Sequence, residues 1–306
     1  MISQDTMFGS VVVIGGGHGL SSTLEAVVGE SARVTALVGV ADDGGSSGRL
    51  RSLYGLVPPG DLRRCLSVLL EPSAQVGDLL EHRFPSGEFE GHAIGNLLLV
   101  AAMQHFQTSP TTALSVLGEI FRSRGEVVPL ANEPMTLCAQ LLDGTRVRGQ
   151  VGIHLTRDID RVWVEPGGLE VDPAVSAAIL EADLIVVGPG SLFTSVLAAL
   201  VHPGVLDLLR AAAAPKVFVA NLREQRQETI GLTALDQVRA LERHGFIPDT
   251  IVLDRCSAGF GELEGFGGRV LAEEVALADS SHAVHDPERL RKVLAVAAGA
   301  VTPLDR

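Results

Sequence analysis

A chain of 306 residues, 46% hydrophobic with a mean hydropathy of +0.29, is long enough to bury one large core or two smaller ones. Its net charge of −13 argues against a broad nucleic-acid footprint, because neutralising phosphates takes clustered positive charge. No apolar run reaches the roughly eighteen residues a membrane helix needs, and Met1 to Gly9 carries neither the basic region nor the apolar run of a signal peptide, so a cytosolic protein is expected.

Three cysteines, Cys65, Cys138 and Cys256, stand far apart without a C-x-x-C pair; they read as buried reduced thiols and suggest neither a disulfide framework nor a zinc site. Lys216 and Lys292 are the only lysines, which leaves arginine to make any bidentate grip on an anion.

The chain opens on Val11-Val12-Val13-Ile14 followed by Gly15-Gly16-Gly17-His18-Gly19. A buried parallel strand running into glycines and then a helix is the pattern of a phosphate loop, since glycine turns without a Cβ and the helix start presents unpaired N–H groups. The alternative is a tight strand-to-helix turn with no ligand. Ser22 and Glu25 are spaced as a capping box, which predicts a helix start near Ser21 or Ser22. Counted from Gly15 as G-x-G-x-x-G, the third glycine position falls on Leu20, so a nicotinamide cofactor does not follow.

Arg33 to Val40 reads as a second buried strand, ending in Ala41-Asp42-Asp43-Gly44-Gly45-Ser46-Ser47-Gly48-Arg49. At that place in a doubly wound sheet Asp42 or Asp43 can accept from a ribose hydroxyl. The pair can equally hold magnesium through one or two carboxylates, or form an Asx turn on the surface. Pro58-Pro59-Gly60 then makes a rigid turn that offers Asp61 as the N-cap of a helix through Leu70. Arg49, Arg51, Arg63 and Arg64 lie close to this loop in sequence, placed either to clamp a phosphate or carboxylate or to pair with Glu71 or Asp78.

Gly91-His92-Ala93-Ile94-Gly95-Asn96 opens onto an apolar helix, Leu97 to Phe106, where His92 or Asn96 can reach a ligand; a general-base role for His92 lacks a partner acid. The periodicity changes from Val127 to Val164. Leu137 to Leu142, the turn Asp143-Gly144 and Thr145 to Leu155 alternate as a β-hairpin does, and Arg161 to Glu165 adds a short strand. This predicts an antiparallel insertion at about residues 127–165, a sheet extension or an oligomer contact, with Trp163 packed inside it.

The α/β rhythm then resumes. A helix runs from Asp172-Pro173 to about Ala182, a buried strand covers Leu184 to Val187, and Gly188-Pro189-Gly190-Ser191-Leu192-Phe193-Thr194-Ser195 forms a second anion-binding turn before a helix. Lys216 to Ala220 is a strand with Asn221 at its carboxyl end, Ala234 to His244 a helix, Thr250 to Leu253 a strand, Gly259 to Gly268 a mobile loop, and His285-Asp286-Pro287 starts a last helix to about Ala298. No repeat or linker interrupts this order. The expectation is one α/β domain spanning the 306 residues, a Rossmann-like, doubly wound, mostly parallel sheet with an antiparallel β-hairpin insertion.

Five motifs occur in order: V-V-I-G-G-G-x-G-L-S at Val12 to Ser21, V-A-D-D-G-G-S-S-G-R-L at Val40 to Leu50, P-P-G-D-L-R at Pro58 to Arg63, G-H-x-x-G-N-L-L-L at Gly91 to Leu99, and G-P-G-S-L-F-T-S at Gly188 to Ser195. Together they resemble the YvcK-like gluconeogenesis factors, relatives of the CofD-type 2-phospho-L-lactate transferases. The resemblance implies a Rossmann-like cytoplasmic protein that binds a nucleotide sugar, UDP-N-acetylglucosamine, and supports cell shape and envelope synthesis on gluconeogenic carbon sources. By motif, the diphosphate would meet Gly15 to Gly19 and Gly190 to Ser195, with Asp42, Asp43 and Asn221 holding polar groups nearby. Where the family reads P-G-E-T-x-G-Y and D-H-V, this chain has Arg226-Gln227-Glu228-Thr229-Ile230-Gly231-Leu232 and Asp236-Gln237-Val238.

The candidate ligand set is therefore Gly15, Gly16, Gly17, His18 and Gly19; Asp42, Asp43, Gly44, Gly45, Ser46, Ser47 and Arg49; Asp61 and Arg64; His92 and Asn96; and Gly188, Gly190, Ser191, Thr194, Ser195 and Asn221. Asp42 and Asp43 are the candidate magnesium ligands, and no catalytic residue is assigned. The alternative activity is transfer of a phospho-lactyl-type group from a nucleotide diphosphate donor to a deazaflavin alcohol, with magnesium and loop N–H groups stabilising the developing charge. Those transferases carry an acidic loop closer to N-T-G-D-D, and A-D-D-G-G-S-S-G-R here favours the regulator.

Overall fold

In a computed structural model of the chain, residues 6–71, 75–223, 228–255, 263, 266–277 and 284–300 are described, His18 by its backbone alone. Strand β1 (Phe8–Gly15) leads through helix α1 (Gly17–Val27) to β2 (Ser31–Val38). Helices α2 (Gly45–Tyr54), α3 (Pro59–Leu69), α4 (Val76–Glu81), α5 (Ile94–Phe106) and α6 (Pro110–Phe121) precede β3 (Glu126–Pro129). Strands β4 (Thr136–Leu141) and β5 (Arg146–Arg148), helix α7 (Gln150–His154) and strand β6 (Ile159–Glu165) form the insertion. Helix α8 (Pro173–Leu180) and strand β7 (Leu184–Val187) follow, then a π-helical stretch, Leu192–Leu197, that runs on into α9 (Ala198–Leu200). The chain continues with α10 (Val205–Ala211), β8 (Lys216–Val219), α11 (Ala234–Arg243), β9 (Thr250–Asp254), β10 (Arg269–Glu273) and α12 (Pro287–Ala297).

Seven strands make one parallel sheet in the order β10-β9-β8-β7-β1-β2-β3. The order reverses between β1 and β7, the topological switch point at which open α/β sheets place their ligand crevice. Val11 to Ile14 and Leu184 to Val187 are buried along their whole length, as expected of central parallel strands covered on both faces. Helix α1 packs on α3 and α12, while α9 lies between β1 and β6.

The doubly wound sheet and its small antiparallel companion match the sequence expectation, and the boundaries differ for physical reasons. Helix α1 starts at Gly17, four residues before Ser21, because its cap comes from another element: Gly17 N–H donates to Asp61 Oδ2 at 2.7 Å. Helix α3 is N-capped by Pro58 with Pro59 at its first position, where a missing N–H costs nothing, so Asp61 stands in the first turn rather than at the cap.

Thr145 to Leu155 is not one strand. Gly149, at φ +94°, ends β5 after Arg148 and turns the chain into α7. The insertion begins after β3, which is the edge strand of the main sheet. Helices α2 and α6 and strand β10 add to the sequence reading, and the expected mobile loop Gly259 to Gly268 falls mostly outside the described residues. Among those residues no single helix is long and apolar enough to cross a membrane; Leu192–Leu200 with Val205–Ala211 qualifies only as a pair bent by 68°.

Candidate functional site

The two glycine turns begin side by side. Ile14 pairs with Val187 in the sheet, Gly188 N–H donates to the Ile14 carbonyl at 3.1 Å, and Gly39 N–H to that of Gly15 at 3.0 Å. A Cβ added at Gly19 would stand 2.2 Å from the Pro189 carbonyl oxygen, so only glycine lets the turns approach this closely. Thr23 Oγ1 donates to the Gly188 carbonyl at 2.9 Å. Asn221 fixes the second turn from both sides: its Oδ1 accepts from Gly190 N–H at 3.1 Å and its Nδ2 donates to the Gly190 carbonyl at 2.7 Å.

Three adjoining cavities form one crevice along this edge. The first, about 450 Å³, is bounded by Gly16, Gly17, Gly190, Ser191, Asn221 and His285, among others. The middle one, about 340 Å³, shares Gly17, Ser191 and Ser195 with the first and Asp42, Asp61 and Arg64 with the third. The third, about 440 Å³, lies at the start of α2 between Gly45, Ser46, Arg49, Arg63 and Arg83. Each has the size of a small-molecule pocket.

The middle cavity is walled by the insertion, through Gln150, Val151, His154 and Leu155. Gln150 Nε2 donates to the Thr194 carbonyl at 2.6 Å and Val151 N–H to Asp43 Oδ1 at 2.9 Å. The insertion thus closes over the crevice.

Candidate residues divide by what they touch. Asp42 and Asp43 diverge: Asp42 borders the crevice and accepts from Gly44 N–H at 2.9 Å, an Asx turn, whereas Asp43 caps α7. Burial raises the Asp42 carboxyl above its ordinary value; the bond from Gly44 opposes this, the charge of Asp61 adds to it, and the Ser47 hydroxyl opposes it again. Asp61 pairs with Arg64 at 2.8 Å while holding the Gly17 amide.

His92 and Asn96 are buried and converge on Ser46 Oγ, at 2.9 and 3.1 Å. With Asn96 donating, the serine proton is left for His92 Nδ1, a neutral ring's acceptor. Burial, together with the charges of Arg49 and Arg83, lowers the His92 pKa. These two side chains therefore hold the first turn of α2 in place. Arg51 donates to the Ala41 and Asp42 carbonyls and to Thr136 Oγ1. Arg63 pairs with Glu81 rather than with Glu71 or Asp78.

Sequence reasoning missed Glu228, His154, Gln150 and His285. Glu228 is buried beneath the π-helical stretch, accepting from Phe193 N–H at 3.3 Å and Thr194 Oγ1 at 2.8 Å; its signal was the E-T pair retained from the family segment. His154 stands 3.9 Å from Glu228, which holds its pKa above the ordinary value against partial burial. Gln150 and His154 belong to a helix hidden in an apparent strand.

His285, at the floor of the first cavity, is pushed down to about 4 by burial, against the Ala220 carbonyl and the charge of Asp254. Cys65 and Cys138 are buried free thiols, both pushed up by burial, and Cys256 lies outside the described residues. Among those residues no group of three or more His, Cys, Asp or Glu side chains gathers as a metal site.

Fold and crevice define a doubly wound α/β protein with a cleft at its switch point. The family described as 2-phospho-L-lactate transferase CofD matches residues 11–264. The chain belongs to this family, on its YvcK-like side. Proteins named gluconeogenesis factor from Listeria monocytogenes and Bacillus subtilis are similar, at 40% identity over 247 residues (79% of this chain, 76% of the relative) and 41% over 249 (80% and 78%). A Deinococcus radiodurans relative is 40% identical over 93% of this chain, which spans 65% of that protein's length. The crystal structure of a Bacillus halodurans protein of the UPF0052 family superposes with a TM-score of 0.87 at 32% identity, covering 94% of this chain and 99% of the other.

Proposed function

We propose that this protein binds a nucleoside diphosphate sugar in the switch-point crevice, UDP-N-acetylglucosamine being the ligand its family resemblance implies, and that it acts as a regulator supporting cell shape and envelope synthesis during gluconeogenic growth. The observation that carries the reading is the meeting of the two glycine turns on one cavity of about 450 Å³, with helix starts on both sides to receive a diphosphate. The names of the Listeria and Bacillus relatives support the gluconeogenic role. Magnesium brought in with the diphosphate would meet Asp42 and Asp61, which line the middle cavity together; Asp43 is engaged by α7.

Calorimetry tests this directly. UDP-N-acetylglucosamine gives binding heat with the intact chain, and Asn221→Ala, which releases the Gly190 turn, weakens it. No heat at millimolar ligand with magnesium, from protein that still melts cooperatively, overturns the reading. The family's transferase description favours a second reading, in which the same crevice holds a nucleotide diphosphate donor whose phospho-lactyl-type group passes to a deazaflavin alcohol. Consumption of such a donor in the presence of that acceptor separates the two, since a regulator binds without turnover.

A further inference from the structure

The third cavity, at the start of α2, shares no lining residue with the glycine-turn cavity. Helix α2 opens on Gly45 at φ +50°, and the amides of Gly45, Ser46 and Ser47 donate to nothing among the described residues; only Gly44 N–H is taken, by Asp42. Three consecutive free amides at a helix start form a concave cradle for oxyanions. Ser46 is pinned by His92 and Asn96, so the cradle is held without a ligand.

A second observation points to the same place. Arg63 is 1% exposed and lines this cavity; one of its Nη atoms pairs with Glu81, the other donates to the Gly60 carbonyl at 3.4 Å, and its buried Nε has no partner among the described residues. A guanidinium N–H left unpaired in a protein interior is costly unless a ligand completes it.

Arg49 and Arg83, both exposed on the cavity rim, donate only to the main-chain carbonyls of Glu90 and Gly91, so neither charge is spent on a carboxylate among the described residues. The acids that face the cavity are Asp42, tied to Gly44 N–H, and Asp61, neutralised by Arg64. Arginines therefore exceed the free carboxylates around the three amides.

We propose that this cavity is a second anion subsite, taking the phosphoryl group of a phosphorylated small molecule. The crevice then holds phosphate at both ends, and only the occupant of the first cavity rests on the nucleotide-sugar reading. A tetrahedral phosphate offers three oxygens to three amides while the guanidinium groups of Arg49, Arg63 and Arg83 close around it. The phosphate belongs either to a separate metabolite or to a second phosphorylated part of one long ligand.

Inorganic phosphate titrated into the intact chain by calorimetry, with and without saturating UDP, is the test. Phosphate binding that falls about tenfold or more in Arg83→Glu is the expected result; Arg83 is exposed, and a cooperative melt of the variant checks that it folds. Binding that persists in UDP-saturated protein assigns the phosphate to a separate metabolite, and binding displaced by UDP yet still sensitive to Arg83→Glu assigns it to one long ligand; both support the subsite. Absence of phosphate binding overturns it, as does binding that is indifferent to Arg83→Glu and lost in Asn221→Ala. Failure of UDP-N-acetylglucosamine to bind leaves the phosphate titration readable, so the two proposals fail separately.

Discussion

Two helices open on glycine at the same edge of the sheet, and they treat their first amides in opposite ways. At α1 the Gly17 amide is filled by the carboxylate of Asp61, brought from α3, and the π-helical stretch after the second turn is filled likewise, by Glu228 on Phe193. At α2 three amides have no acceptor among the described residues, although hydrogen bonds with His92 and Asn96 hold the turn rigid. A glycine turn thus grants the backbone a shape; residues far away in the chain decide whether its positive end is left for a ligand.

The comparison is tested most severely at Gly19. A valine there drives its Cβ into the Pro189 carbonyl, 2.2 Å away, and is expected to cost about 3 kcal/mol, the upper range of overpacking, in urea unfolding. Gly45→Ala at α2 meets nothing within 4 Å and carries only the strain of φ +50°, about 1–2 kcal/mol.

Acid should attack the glycine-turn end next. Burial depresses the His285 pKa to about 4, so the folded state binds fewer protons than the unfolded chain; its neutral ring is tolerated above the ordinary histidine value, and stability drains as pH falls from about 6.5 towards 4. Roughly 3 kcal/mol follows from that interval, and His285→Gln should flatten the pH profile of the melting temperature over it.

Asp61→Ala makes α1 resemble α2. It removes the acceptor from the Gly17 amide and frees Arg64, with an expected loss of about 1 kcal/mol and a gain of phosphate binding at the first turn, read by calorimetry. The smallest effect is on His154. Glu228 raises its pKa, a contribution present below the ordinary histidine value and lost as pH rises through the raised one; in Glu228→Gln, NMR titration should return His154 towards its ordinary pKa.

Most of the parallel sheet was legible, because Val11 to Ile14 and Leu184 to Val187 are unbroken apolar runs ending in glycine, the mark of strands buried on both faces. Helix α2 was not. Gly45-Ser46-Ser47-Gly48 has poor helix propensity, and the contacts that hold it come from residues about fifty positions on, at His92 and Asn96. Helix α7 was hidden because Val147 to Leu155 alternates like a strand until Gly149 turns it. The glycine turns and Asn221 were found at the crevice, but spacing could not tell that Asn221 serves the Gly190 backbone, or that adjacent aspartates at 42 and 43 would part company.

Asp61 has one more consequence. By lending its own negative group to the first turn, the chain carries a tethered stand-in for an incoming anion, and the turn keeps its form between visits. On the proposed function, an arriving diphosphate would have to settle beside that resident or evict it, together with its Arg64 counterion, so occupancy would be set by competition.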